Sequence, residues 1–238
     1  GLNIKDASLR TSTPGSVLLS AEEGNVDSNN KTSIDSAGSL EVGAAGKVDL
    51  SGAKVEYSEA GALRLVAGST DSDALKVFAH KNNTFKGAEV VLDSAGGLIF
   101  ADEAPITVEA SSGKAVLKGQ KIDLKSGSSV KAAGEATVRG YDSLVLGDNI
   151  SVGSSSVSIT GGQQAFSLGN NVSLTATNGG IEVLADADAT LGGSLNVNAS
   201  LKDPSAGDEA PIRIGAQGVL NVTEDEFEVI AENGSVDI

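Results

Sequence analysis

The sequence predicts an all-β chain wound as a parallel β-solenoid. Three observations predict it: a beat of very short strands, corners built from small polar residues, and a fixed spacing at which the pattern recurs. Apolar-x-apolar segments run through all 238 residues. In the middle they read Ile106-Thr107-Val108, Ala115-Val116-Leu117, Ile122-Asp123-Leu124, Val130-Lys131-Ala132, Ala136-Thr137-Val138, Leu144-Val145-Leu146, Ile150-Ser151-Val152 and Val157-Ser158-Ile159. Alternation of this kind buries one face of a strand, and no ten-residue window carries a 3.6-residue period. Corners such as Ser111-Ser112-Gly113, Lys125-Ser126-Gly127 and Gly161-Gly162 supply the turns.

A strand with two or three inward side chains cannot repay its own backbone ordering, so the strands must stack. Steps from Ile106 to Val130 to Ile150 to Val172 to Leu195 group three strands into a repeat of roughly 20–24 residues, a period that signals a solenoid. The expectation is a right-handed β-helix of about ten coils, forming a rod about 50 Å long at roughly 4.8 Å per coil. Thirty glycines suit a fold made half of corners, and aromatics at 3% suit a narrow interior filled by Val, Leu and Ile.

No second compositional regime interrupts the beat, so residues 1–238 read as a single continuous solenoid segment. A loop insertion is expected at 202–211, where Pro204 and Pro211 bracket a polar stretch, and a smaller bulge at His80–Lys86. Methionine is absent, so Gly1 is not a translational start, and the segment is expected to belong to a longer protein. The longest apolar run, Leu98-Ile99-Phe100-Ala101, is far too short to span a bilayer, so no direct membrane insertion is expected of this segment.

The net charge of −15 and pI near 4.4 argue against nucleic acid and anionic membrane surfaces as partners. Acidic outward positions keep a stackable rod soluble; the alternative is a calcium role for Asp71-Ser72-Asp73, Asp186-Ala187-Asp188 or Glu224-Asp225-Glu226, although the Gly-rich calcium nonapeptide is missing. With no cysteine there is no disulfide, thiolate metal site or cysteine nucleophile. The single histidine, His80, reads as a solvated surface group and cannot make a metal site alone. A polysaccharide-active groove would draw on Arg139, Tyr141 and Asp142, but two tyrosines, four arginines and no tryptophan make a thin sugar platform. No catalytic residue, cofactor or metal is assigned, and the chain is not expected to be an enzyme.

Seven Asn-x-Ser/Thr triplets stand at Asn30, Asn82, Asn149, Asn171, Asn198, Asn221 and Asn233, more than fourteen asparagines would give by chance. Two explanations remain open. They are N-glycosylation sites of a secreted glycoprotein, or asparagine favours coil corners while Ser or Thr favours the strand that follows.

The cadence of Ser173-Leu174-Thr175-Ala176-Thr177-Asn178-Gly179-Gly180-Ile181-Glu182-Val183 and of Gly192-Gly193-Ser194-Leu195-Asn196-Val197-Asn198-Ala199-Ser200 resembles the repeat region of bacterial filamentous-haemagglutinin-type surface adhesins. That resemblance implies an exported, right-handed β-helical shaft that presents binding surfaces away from a cell. Residues Ser16–Val26, Gly38–Val42 and Gly46–Val55 are also similar to the extracellular coils of sarcoglycans, glycosylated single-pass proteins whose chains share a β-helical body; the cysteine-rich cap of that family has no counterpart here. The expected function is a non-catalytic structural or adhesive segment of an extracellular fibre or cell-surface protein. Its partners would be itself or neighbouring repeats, end to end or laterally, with a cell-surface protein or glycan as a further candidate. A membrane-anchored complex subunit, and a polysaccharide-active β-helix or phage tailspike, are the alternatives.

Overall fold

The computed structural model describes residues 1–12, 15–100, 104–200, 211–223, 227–232 and 235–238. Among them the chain forms a parallel β-solenoid of about nine turns, with 28 short strands and one 3₁₀ turn, Lys81–Asn83. Every strand pairing among them is parallel. Each turn contributes to three faces. The first face stacks ten strands, from Val17–Ala21 and Leu40–Ala44 to Ile212–Ala216 and Val236–Asp237. The second begins as Leu2–Asn3, Val26–Asp27, Val48–Asp49, Leu75–Val77 and Leu98–Phe100, and resumes as Ala165–Leu168, Ala189–Leu191 and Leu220–Val222. Between those stretches, Ala115–Leu124 and Glu135–Leu146 turn the corner without ending and serve both faces. The third runs through Ser8–Arg10, Ser33–Ser36 and Lys54–Tyr57, then from Thr84–Gly87 to Phe227–Glu232.

Register is set by inward columns. Val17, Leu40, Leu63, Val90, Ala115, Ala136, Val157, Ile181, Ile212 and Val236 each pair with the next, giving nine steps of 21 to 31 residues. Two positions further on, Val42, Leu65, Leu92, Leu117, Val138, Ile159, Val183 and Ile214 form a second buried row. A one-residue slip would turn both rows to solvent, so alternation alone fixes the stack. The fifth position, at the corner, holds only small residues: Ala21, Ala44, Ala67 and Ser94, then Gly119, Gly140, Gly161, Ala185 and Ala216.

Three details differ from the sequence reading. The coils number about nine, because several steps exceed 24 residues; the step from Leu63 to Val90 takes 27 and contains the Lys81–Asn83 excursion. Val130 pairs with Val108, while Ser128 occupies the position that Ile106 and Ile150 hold in neighbouring coils. Ser128 is an inward polar residue, and its hydroxyl accepts from Ile106 N–H at 3.0 Å and donates to the Lys125 carbonyl at 2.6 Å. Ser36 and Ser94 staple other corners in the same way, which satisfies backbone groups that a purely apolar column would leave bare. The expected bulge is confined to Lys81–Asn83; Thr84–Gly87 is a strand with Phe85 in the core. The expected insertion at 202–211 lies outside the described residues except for Pro211, whose carbonyl accepts from Ile181 N–H.

The backbone ladder is interrupted at two places among the described residues. Lys54–Tyr57 and Thr84–Gly87 belong to separate sheets on the third face, and the five-stranded sheet ends at Leu98–Phe100 on the second. Five ring side chains gather there: Phe78, Phe85, His80, Tyr57 and Phe100 pack with ring centroids 5.1–6.3 Å apart in the contacting pairs. Across the third-face gap the Tyr57 hydroxyl accepts from Lys86 N–H at 3.2 Å, replacing a ladder bond with a side-chain one.

Candidate functional site

Any functional surface of this fold must be assembled from outward side chains, because the interior is a closed core. Parallel stacking places residues about one coil apart in sequence side by side, so each outward position becomes a column.

On the second face this builds a charge network. Lys47 Nζ lies 2.6 Å from Asp73 and 2.9 Å from Asp71, while Lys76 Nζ lies 3.2 Å from Asp73 and 3.5 Å from Asp49. The Lys47 hydrogen bonds hold both Asp71 and Asp73 below the usual carboxylate range, and the bond to Asp73 raises both lysines. Asp71 and Asp73, one of the sequence's calcium candidates, therefore already hold an internal cation. Among the described residues no group of three or more His, Asp or Glu is placed to hold a metal; Glu224-Asp225-Glu226 lies outside them.

His80 corrects the sequence reading. It is not a solvated surface group but is 5% exposed, with its ring 5.1 Å from Tyr57, 5.8 Å from Phe78 and 6.3 Å from Phe85. Burial, helped by Lys81, pushes its pKa below the ordinary imidazole value, and burial pushes Tyr57 up to about 12. A hydrogen bond to the Val55 backbone gives the ring a polar partner.

The sequon asparagines divide by backbone role. Asn149 and Asn171 take left-handed conformations, φ 56° and 55°, at a corner whose neighbours in the stack are Gly127 and Ser194, also with positive φ. Asn171 Nδ2 donates to Asn149 Oδ1 at 3.2 Å, forming a short amide ladder. Asparagine adopts this conformation more readily than other non-glycine residues, so corner geometry alone accounts for these two. At Asn30 the companion Thr32 is buried, and its hydroxyl donates to the Ile4 carbonyl at 2.9 Å. Asn82, in the Lys81–Asn83 excursion, and Asn221 are exposed, Asn198 is half-buried on an outward strand position, and Asn233 lies outside the described residues.

Of the sugar-platform residues, Arg139 and Tyr141 meet at the bend between the first and second faces. The Arg139 guanidinium lies 5.0 Å above the Tyr141 ring, and the Tyr141 and Asp142 carbonyls accept from Gln163 and Gln164 N–H of the next coil. Lys118 is the register partner of Arg139. The Lys47 network, the Asn149–Asn171 ladder and the Lys118–Arg139 pair were all missed by sequence reasoning. Most of their contacts join residues a full coil apart, and only an exact register would have brought them together.

No protein-family model, curated protein or solved structure matches the chain. Among the described residues no helix is long and apolar enough to cross a membrane.

Proposed function

We propose that the chain is a non-catalytic shaft segment of an extracellular fibre or cell-surface protein, whose stacked coils give stiffness while outward columns and corners present contacts. The observation that carries this reading is the continuous first-face ladder, in which ten strands keep one register through nine steps on a single axis. Main-chain hydrogen bonds repeat along that axis from coil to coil, the arrangement that stiffens a solenoid lengthwise. Strand edges of such a stack pair readily with a further coil, so its partners are neighbouring repeats or another copy. Sedimentation over a wide concentration range, with electron microscopy of the particles, tests the proposal. The expected result is axial or lateral growth with concentration and no turnover of polysaccharides; a monomer at every concentration, or saccharide cleavage, overturns it.

A second reading, a glycosylated extracellular subunit of a membrane-anchored complex, draws on the outward placement of Asn82, Asn198 and Asn221. Its distinguishing result would be sugars at those positions on the native protein.

A further inference from the structure

Three of the four arginines face a carboxylate: Arg10 lies 3.1 Å from Asp35, Arg64 2.8 Å from Glu89 and Arg213 3.5 Å from Glu182. Arg139 is the exception. In a chain with 32 acidic residues its guanidinium forms no ion pair or hydrogen bond among the described residues, its Nε is buried without a partner, and the group rests on the Tyr141 ring instead. Beside it in the ladder stands another cation, Lys118, which likewise forms no ion pair among the described residues; Asp93, one coil further along that column, does not reach it. Like charges directly opposite in a sheet oppose its formation, so this arrangement leaves a local positive site that an anion would relieve.

Which anion follows from the surroundings. A guanidinium seated over an aromatic ring is restricted in orientation, which favours two-point bonding to a carboxylate, with an adjacent ammonium as the second charge. The exposed amides of Gln163 and Gln164 border the same bend and suit hydroxyl partners. The net charge of −15 repels a densely charged polymer, whereas an isolated carboxylate feels chiefly the charges within a screening length of about 8 Å. We propose that Lys118, Arg139, Tyr141 and Gln163 form a binding site for a sugar carboxylate, a uronate or sialate carried on an otherwise neutral glycan. This names a ligand class for the adhesive side of the reading above and rests on it.

Four arginines give four Nε–Hε resonances in a ¹⁵N spectrum, and the Arg139 signal is identified by its loss in Arg139→Lys. Titration with glucuronosyl-xylose and with sialyllactose should move that signal saturably, and xylobiose and lactose should not. Whichever acidic saccharide binds more tightly identifies the source. Acetate should bind at least about fivefold more weakly than the better saccharide, since it lacks the hydroxyl contacts. Lys118→Gln, a surface change, should weaken binding by about fivefold or more with an unchanged circular dichroism spectrum. An unmoved Arg139 signal, an equal response to acetate, or a response to the neutral sugars overturns the assignment. Concentration-dependent assembly is read separately, so loss of the glycan site and failure of the shaft reading give different results.

Discussion

Two glycines in neighbouring strands provide a matched test of the corner geometry. Gly161 has φ +117°, and a Cβ there would run into the Gly140 carbonyl oxygen of the adjacent coil. At Gly153, an outward position between Lys131 and Thr175, a Cβ would meet no heavy atom within 4 Å. Gly161→Ala therefore incurs a backbone conformation worth about 1–3 kcal/mol and a main-chain overlap that forces two coils apart, together about 3 kcal/mol or more. Gly153→Ala removes unfolded-state freedom without strain and should stabilise by about 0.4–1 kcal/mol. With a urea m-value of about 2–3 kcal/mol/M, the midpoint followed by far-UV circular dichroism should fall by about 1 M or more for the first and rise by a few tenths for the second. Midpoints that move in the same direction would refute the assigned register at this corner.

His80 predicts a pH dependence. Its folded pKa is lowered from 6.5, so the unfolded chain takes up the proton first; stability is complete above about 6.5 and declines as pH falls through that value, and His80→Gln should flatten the decline between about pH 6.5 and 5 in thermal melts. Lys47→Ala removes the principal cation from Asp71 and Asp73, and NMR titration should find both carboxylates shifted up toward 3.8. Expression in a glycosylating host should modify Asn82, while mass spectrometry of Asn149 and Asn171, stacked about one coil spacing apart, should find at most one of the pair carrying sugar in a given molecule.

Much of this fold was legible because a solenoid repeats its instructions. Alternation identified Val108, Leu117, Val138, Val152 and Ile159 as inward, and all are buried. The corner signals at Gly127 and Gly161 coincide with positive φ. The misread inward positions share one reason: the sequence marks inward residues by apolarity, and a column can be occupied by a residue that satisfies the core differently. Ser128 does so by hydrogen bonding to the backbone, which displaced the expected step onto Val130. His80 does so by stacking among rings, which no local pattern distinguishes from a surface imidazole. The outward neighbours were less legible still, because Lys118 and Arg139 meet only when a 21-residue step is exact.

The two interruptions of the ladder have a mechanical consequence. Under tension along the axis, most layers resist through directional backbone bonds that must break together. Near Tyr57 and Phe85, part of that load passes to the Tyr57 hydroxyl and to rings that can slide over one another. A pulled or bent solenoid would yield first at this aromatic joint, with the stretches on either side moving as stiff levers.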